Sequence, residues 1–342
     1  MGPVTEPDGE FPSIVVAKDG KTKTLIGNSF DAFNREADIP ELAYPGGDIR
    51  VAVGNFTGSS VDQIATAQGF GGSNVIRVYE YTGQEPPLAF QVVAQFNGLV
   101  DAAWTNNAEG GQTLAAGDLT GDGIDELIVG QYNSATSRTQ FSVIGLNNDG
   151  TLAYRTNGVA FPRKFQGNGG VQPVVADLNG DGDNELLFAS TGNTQDFVEN
   201  EDGRNTATIN LVVVWIPVVT DGKVTGFERP AGPVRNILDQ VDNPSGAQSI
   251  AAVEIDGTAG DELVIGTGIV LNVNGTSVTW DETKVAPMAK YTFVNIDFDG
   301  AAVTGVSDVG GGFAQAAIGH KSFPDDIMPL SGATNVAAGV ID

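Results

Sequence analysis

The sequence contains no cysteine, and His320 is its single histidine. The first absence excludes disulfides, thiolate zinc sites and cysteine nucleophiles. The second leaves one imidazole, in Ile318–Phe323 (IGHKSF), with no triad around it to recruit it as a base. There is no Gly-x-Ser-x-Gly elbow, no phosphate-binding loop with its lysine and no histidine-rich metal cluster. The glycine-rich stretch Gly69–Gly72 has no lysine and no helix start after it, and reads as a turn. Basic residues are scarce: 17 Lys plus Arg stand against 43 Asp plus Glu, for a net charge of −26. Such a surface repels phosphate backbones and anionic lipid, so nucleic-acid partners are disfavoured and cations favoured. Solubility or a saline habitat would produce the same bias. No apolar run is long enough to span a bilayer, so no membrane insertion is expected. Met1–Glu6 has neither a basic nor an apolar leader region, and Glu6 does not fit a myristoylation signal.

What is present is a globular composition, 41% hydrophobic, with 46 glycines. That much glycine suits many tight turns between short strands. A pattern recurs: apolar strand, polar loop, apolar strand. The clearest copy is Leu114–Gly130 (LAAGDLTGDGIDELIVG), followed by Val174–Phe188 (VVADLNGDGDNELLF) and Ala251–Gly266 (AAVEIDGTAGDELVIG). Val51–Ala65 (VAVGNFTGSSVDQIA) is a weaker copy, and all four align without a gap. The loops begin at Asn55, Asp118, Asp177 and Glu254, some sixty to eighty residues apart, which is room for a four-stranded unit. Hairpins fill the intervals: Ser13–Ile26 around Asp19-Gly20, Val75–Phe90 around Thr82-Gly83, Phe141–Tyr154 around Asp149-Gly150, Leu211–Phe227 around Asp221-Gly222 and Tyr291–Val306 around Asp299-Gly300.

These units predict one all-β domain over 1–342, a β-propeller of five to seven four-stranded blades. The units fall near 45–110, 111–168, 169–245 and 246–308, with 309–342 joined to 10–44. Residues 333–342 read as a first strand that stops where its loop begins, and the N-terminus opens on an unpartnered hairpin. The two ends would close the ring by sharing a blade. The alternatives are a chain truncated at Asp342, or donation of the strand to a neighbouring molecule, which would build a filament.

Ala116–Gly130 (AGDLTGDGIDELIVG) and Ala176–Leu186 (ADLNGDGDNEL) resemble the FG-GAP/VCBS repeat family. Pro45–Gly54 and Phe70–Tyr79 are similar to such repeats from bacterial cell-surface proteins. The resemblance covers most of residues 10–342, strongly in two repeats. It implies an integrin-head-like propeller with calcium in its inter-strand loops, serving adhesion, carbohydrate or protein binding, or assembly.

The loops themselves point to the same ion. Calcium takes six to eight oxygen ligands at about 2.3–2.6 Å. Alternating loop positions supply Asp118, Thr120, Asp122, the Ile124 carbonyl and Glu126 in one copy, and Asp177, Asn179, Asp181, the Asp183 carbonyl and Glu185 in the next. Gly121 and Gly123 permit the tight backbone. A loop that turns on Asn, Asp and Gly without metal is the plainer alternative. The third copy offers Glu254, Asp256, Thr258, the Gly260 carbonyl and Glu262, a weaker set because Thr258 replaces the central Asp. The Asn55 loop offers Asn55, Thr57, Ser59 and Gln63, without a carboxylate, and is expected to be metal-free. Asn55 and Asn274 begin Asn-x-Thr sequons, which matter only in a glycosylating host.

Trp215 lies in an apolar run and is expected in the core, whereas Trp104 and Trp280 fall in expected loops, where they could meet a sugar or a protein. The function expected is a non-enzymatic, calcium-binding extracellular or cell-surface propeller for adhesion, surface structure or assembly. Its partners would be protein or carbohydrate ligands at surface loops. The alternatives are a filament subunit joined by strand exchange, and a lectin or polysaccharide-degrading enzyme.

Overall fold

A computed structural model describes residues 14–18, 25–31, 49–59, 61–69, 71–82, 90–135, 138–161, 165–167, 170–190, 194–200, 203–208, 212–231, 248–254, 257, 259–267, 272–273, 276–277, 290–299 and 302–313. The N-terminal hairpin joins β1 (Ile14–Lys18) to β2 (Leu25–Asp31). Four antiparallel meanders follow. The first sheet is β3 (Ile49–Gly54), β4 (Gln63–Gln68), β5 (Val75–Tyr81) and β6 (Phe90–Asn97). After the short helix α1 (Asp101–Thr105), the second sheet is β7 (Gln112–Gly117), β8 (Glu126–Gln131), β9 (Gln140–Leu146) and β10 (Leu152–Val159). Strand β11 (Phe165–Gly167) precedes the third sheet, which opens with β12 (Val171–Ala176) and β13 (Glu185–Ser190). An excursion through β14 (Thr194–Asn200) and β15 (Gly203–Thr208) pairs with β11, and the third sheet then resumes with β16 (Val212–Thr220) and β17 (Lys223–Glu228). The fourth sheet is β18 (Gln248–Val253), β19 (Glu262–Thr267), β22 (Lys290–Asp299) and β23 (Ala302–Phe313), with the small pair β20 (Asn272–Val273) and β21 (Thr276–Ser277) inserted.

The architecture is all-β, and its four-stranded meanders have the form of propeller blades. Each is ordered as it runs in sequence, and the first strands β3, β7, β12 and β18 lie side by side in succession. Among the described residues no helix is long and apolar enough to cross a membrane.

Three of the expected hairpins run further than their sequence signals. The first sheet's hairpin pairs Val75 with Asn97, so Phe90 begins its second strand rather than ending it. The second reaches Val159, and the fourth reaches Phe313. The sequence marks each turn but not the far end, because polar and apolar residues alike continue the ladder on an outer strand. Asp221 and Gly222 form the tight turn expected of them, with φ of 52° and 67°.

The apolar runs of the inner strands are continuous because both faces are covered. Leu127 and Val129 of β8 pack with Ala65, Ala67, Ile76 and Val78 of the first sheet. Ile128 between them points the other way, joining Leu186, Phe188 and Val213 of the third sheet. Leu187 and Ala189 then face Ile250, Leu263 and Ile265 of the fourth. The core is therefore a series of layers between sheets. Phe141 and Phe188 hold one of them, with ring centroids 4.2 Å apart.

Close approach between neighbouring first strands requires a small residue. A Cβ added at Gly117 would fall 2.4–2.7 Å from the Val175 side chain of the next sheet. Gly117→Leu is expected to lower stability by about 1–3 kcal/mol through overpacking, measured by urea denaturation; unchanged stability would mean that the sheets are not in contact there.

Candidate functional site

The recurrent loops join the first and second strands of each sheet, at 55–62, 118–125, 177–184 and 254–261. They turn on glycine with positive φ: Gly58, Gly121, Gly123, Gly180, Gly182 and Gly257 all lie between 67° and 91°. In the second sheet the loop winds around its first residue. Asp118 Oδ1 accepts the Gly121 N–H at 2.7 Å and the Thr120 N–H at 3.1 Å, and Oδ2 accepts the Gly123 N–H at 2.7 Å. Asp122 Oδ1 accepts the Ile124 N–H at 2.9 Å. The third sheet repeats this. Asp177 accepts from Gly180, Asp181 and Gly182, Asn179 from Asp181, and Asp181 from Asp183. Glu254 accepts the Gly257 N–H at 2.6 Å. Asp256 and Thr258 lie outside the described residues; Gly260, at φ 107°, sits against Leu178 and Gly180 of the preceding loop.

The ninth residue, counted from each loop's first, is an internal clasp. Glu126 is buried; its Oε2 accepts the Leu119 N–H at 2.8 Å and its Oε1 the Tyr154 hydroxyl at 2.8 Å. Glu185 accepts the Leu178 N–H at 2.9 Å and the Asn179 amide at 3.1 Å. Glu262 is buried to the same degree. Gln63 makes the same bond without a charge, accepting the Phe56 N–H at 2.8 Å while its amide donates to Thr57 and Ser59. In that loop Asn55 Oδ1 is buried and receives no hydrogen bond, so the first residue does not organise the turn as Asp118 does.

Burial pushes the Glu126 carboxyl from 4.5 up to about 7, and repulsion from Asp118 and Asp122 adds to it, against the hydrogen bonds from Leu119 and Tyr154. Glu185 is raised to about 7 for the same first reason, with Asp181, Asp177 and Asp183 adding. Among the described residues no basic group offsets either carboxylate. The donors are all oxygen, as a hard cation requires. Among the described residues, however, no three acidic side chains converge on one point, because Glu126 and Glu185 turn inward to their clasps. Asp118 and Asp177 are half-buried and Asp122 and Asp181 exposed, and a carboxylate carries about four lone-pair sites, so these oxygens keep acceptor capacity beyond their backbone bonds.

One recurrent residue was missed in the sequence: the eighth. The Asn55 N–H donates to Asp125 Oδ2 at 2.7 Å, and the Asp125 N–H returns to the Asn55 carbonyl at 2.9 Å. One repeat on, Asn184 Nδ2 donates to the Asp118 carbonyl at 2.6 Å. Next, the Asp177 N–H donates to Asp261 Oδ2 at 3.2 Å, and the Asp261 N–H to the Asp177 carbonyl at 2.7 Å. Each loop thus holds the start of the loop before it. The signal lay in the alignment, where the eighth residue is Asp62, Asp125, Asn184 and Asp261, Asp or Asn in every copy. Burial raises the Asp125 and Asp261 carboxyls, against the backbone N–H each accepts.

The tryptophans are placed differently. Trp215 packs at the edge of the core between the second and third sheets, its indole N–H donating to the Ala160 carbonyl at 2.9 Å. Trp104 lies in α1 and packs on the core between the first two sheets, which corrects the expected loop position: the ring is a packing element. Trp280 and His320 lie outside the described residues.

Fold and loops together define an all-β protein of four-stranded meanders clasped by polar inter-strand loops. Residues 118–188, which span two of these loops, match the FG-GAP-like repeat. No curated protein matches the chain. Among solved structures, one described as the structural basis of specific recognition of non-reducing terminal N-acetylglucosamine by an Agrocybe aegerita lectin is similar at 10% identity. The match covers 87% of this chain and 88% of that one, with a TM-score of 0.31.

Two predictions follow from the clasps. Asp125→Ala leaves the Asn55 N–H without its acceptor and is expected to cost about 1–3 kcal/mol, read by urea denaturation, whereas Asp125→Asn, which keeps an acceptor oxygen, recovers most of it. Equal stability of Asp125→Ala and the parent would show that the grip between loops contributes nothing. Glu126 and Glu185 are raised above their unfolded values, so the folded chain holds more protons between about 4.5 and 7. Stability in a chelator therefore falls as pH rises through that window. Glu126→Gln, which copies Gln63, should melt above the parent in a chelator at pH 8 and flatten this dependence; a lower melting temperature would contradict the burial penalty.

Proposed function

We propose that the chain is a non-enzymatic, calcium-stapled scaffold that works outside the cytosol in adhesion, surface structure or assembly, presenting its loop-bearing rim to protein or carbohydrate. The observation that supports the ion is electrostatic. Two loops gather like charges around a buried glutamate, and among the described residues no basic group offsets them. A divalent cation would supply the missing charge. It would be held by Asp118, Thr120, Asp122, the Ile124 carbonyl and Glu126 in one loop. In the next it would be held by Asp177, Asn179, Asp181, the Asp183 carbonyl and Glu185. The third set, Glu254, Asp256, Thr258, the Gly260 carbonyl and Glu262, would bind more weakly.

Asp122, Asp181 and Asp183 are exposed, and their loops are open to water. Calcium sites of extracellular modules bind in the range of about 10⁻⁴–10⁻³ M, and placing the chain outside the cytosol, where calcium reaches that range, is part of the same proposal. The absence of a catalytic constellation in the sequence favours binding over turnover, and a net charge of −26 turns polyanions away.

Calorimetric titration of the full chain with calcium tests the proposal. The two stronger sites should be lost in Asp118→Ala with Asp177→Ala, leaving at most the weak binding of the Glu254 set. Each occupied site should add about 1.4 kcal/mol at ten times its Kd, seen as a rise in melting temperature that a chelator reverses. Glu126→Gln should combine a higher melting temperature in the chelator with a smaller gain from calcium. No binding at millimolar calcium, with melting unaffected by the chelator, would overturn the reading.

A further inference from the structure

The residue by which a loop holds its predecessor is not one of that loop's own proposed donors; it stands between two of them. Asp125 lies between the Ile124 carbonyl and Glu126, Asn184 between the Asp183 carbonyl and Glu185, and Asp261 between the Gly260 carbonyl and Glu262. What each one holds is the main chain at the first residue of the loop before, at Asn55, Asp118 and Asp177 in turn. In two of the three cases that residue opens the earlier donor set. Asn184 Nδ2 donates to the Asp118 carbonyl at 2.6 Å, and the Asp118 carboxylate accepts the Gly121 and Gly123 N–H groups at 2.7 Å each. Asp261 meets Asp177 twice: its Oδ2 accepts the Asp177 N–H at 3.2 Å, and its own N–H donates to the Asp177 carbonyl at 2.7 Å. The Asp177 carboxylate in turn gathers the Gly180, Asp181 and Gly182 N–H groups. These two loops also touch directly, since a Cβ added at Gly180 would fall 2.5 Å from Ala259 Cβ.

A continuous line of contacts therefore joins one donor set to the next. When the 177 loop closes on an ion, the Asp183 carbonyl and Glu185 are fixed, and the Asn184 backbone between them is fixed as well. Asn184 then holds Asp118 in place before the 118 loop has closed, so that loop loses less freedom when it closes on its own ion. We infer, resting on the calcium reading above, that the 118 and 177 loops bind calcium with positive cooperativity and that Asn184 carries the coupling between them. Asn184 is a positioning residue: it touches the main chain of the first donor and no part of the ion. Coupling of this kind is reciprocal, so an ion in the 118 loop tightens the 177 loop by the same factor. Asp261 stands in the same relation to Asp177. Asp125 grips the Asn55 loop in the same way, but that loop offers no carboxylate, and the line of coupled sites ends there.

A double-mutant cycle on calcium affinity tests this, read by calorimetric titration of the full chain at physiological ionic strength. The 118 site is the binding that Asp122→Ala removes. Asp181→Ala silences the 177 loop and should weaken calcium at the 118 site by about fivefold or more. Asn184→Ala should weaken it by a similar factor, and Asp181→Ala should then weaken it little further. An affinity at the 118 site that ignores Asp181→Ala overturns the coupling while leaving calcium binding intact. So does an affinity that rises, as relief of repulsion between two ions would give. An effect of Asp181→Ala that persists in full beside Asn184→Ala also overturns it, because independent effects that simply add are the mark of a purely structural Asn184. A parent that binds no calcium at millimolar concentration overturns the calcium reading and the coupling together. If Asn184→Ala folds poorly, Asn184→Ser, whose hydroxyl is too short to reach the Asp118 carbonyl, takes its place in the cycle.

Discussion

Each described sheet from the second to the third has apolar side chains on both faces, so each needs a neighbour on either side. Ile128 cannot be buried with Phe188 unless Leu127 is buried with Ile76 and Val78, because adjacent residues of β8 point to opposite faces. This two-sided demand makes the sheets stack in sequence order, and it explains why Gly54 and Gly117 are glycine where first strands approach most closely. The grip of one loop on the next fixes the spacing of that stack. Asp125 and Asp261 exchange backbone hydrogen bonds with the start of the preceding loop, so hydrophobic layering and polar register reinforce each other.

The loops carry two electrostatic loads. From the second loop on, the eighth residues bind protein and the ninth are buried, so much of the acid that marks the repeat is engaged by backbone before any ligand arrives. What remains at the surface, Asp122 and the acids of the 177 loop, is concentrated negative charge beside a buried glutamate raised to about 7. Such a loop stores repulsion that a cation or a proton relieves. The Asn55 loop has escaped this load, since Gln63 closes it without charge. The repeat can therefore be built with or without an ionisable centre, and the difference between copies lies in charge rather than in backbone.

That separation bears on function. The match to the FG-GAP-like repeat over 118–188 coincides with the two loops that gather most charge. In the proposed reading the sheets act as a frame, and the rim where the loops lie is where a cation, a glycan or a protein surface would meet the molecule. Trp104, which looked free to meet a ligand, instead fills the seam between two sheets.

By itself the sequence determined the repeat, the all-β class, the loop boundaries and the turn glycines, because these depend on local backbone chemistry. A residue such as Gly121 declares its positive φ, and Asp221-Gly222 its tight turn, whatever the rest of the chain does. The tertiary structure alone decided which acids face water and which face protein. Asp125 and Glu126 are neighbours with the same charge, yet one reaches the preceding loop and the other turns inward to Leu119 and Tyr154. Their partners lie 70 residues away for Asp125 and 28 away for the tyrosine of Glu126, and only the packing of strands brings them together. The same holds for Val51 and Val53, which read as ordinary inner-strand residues until the structure places them on a face that the described sheets leave uncovered.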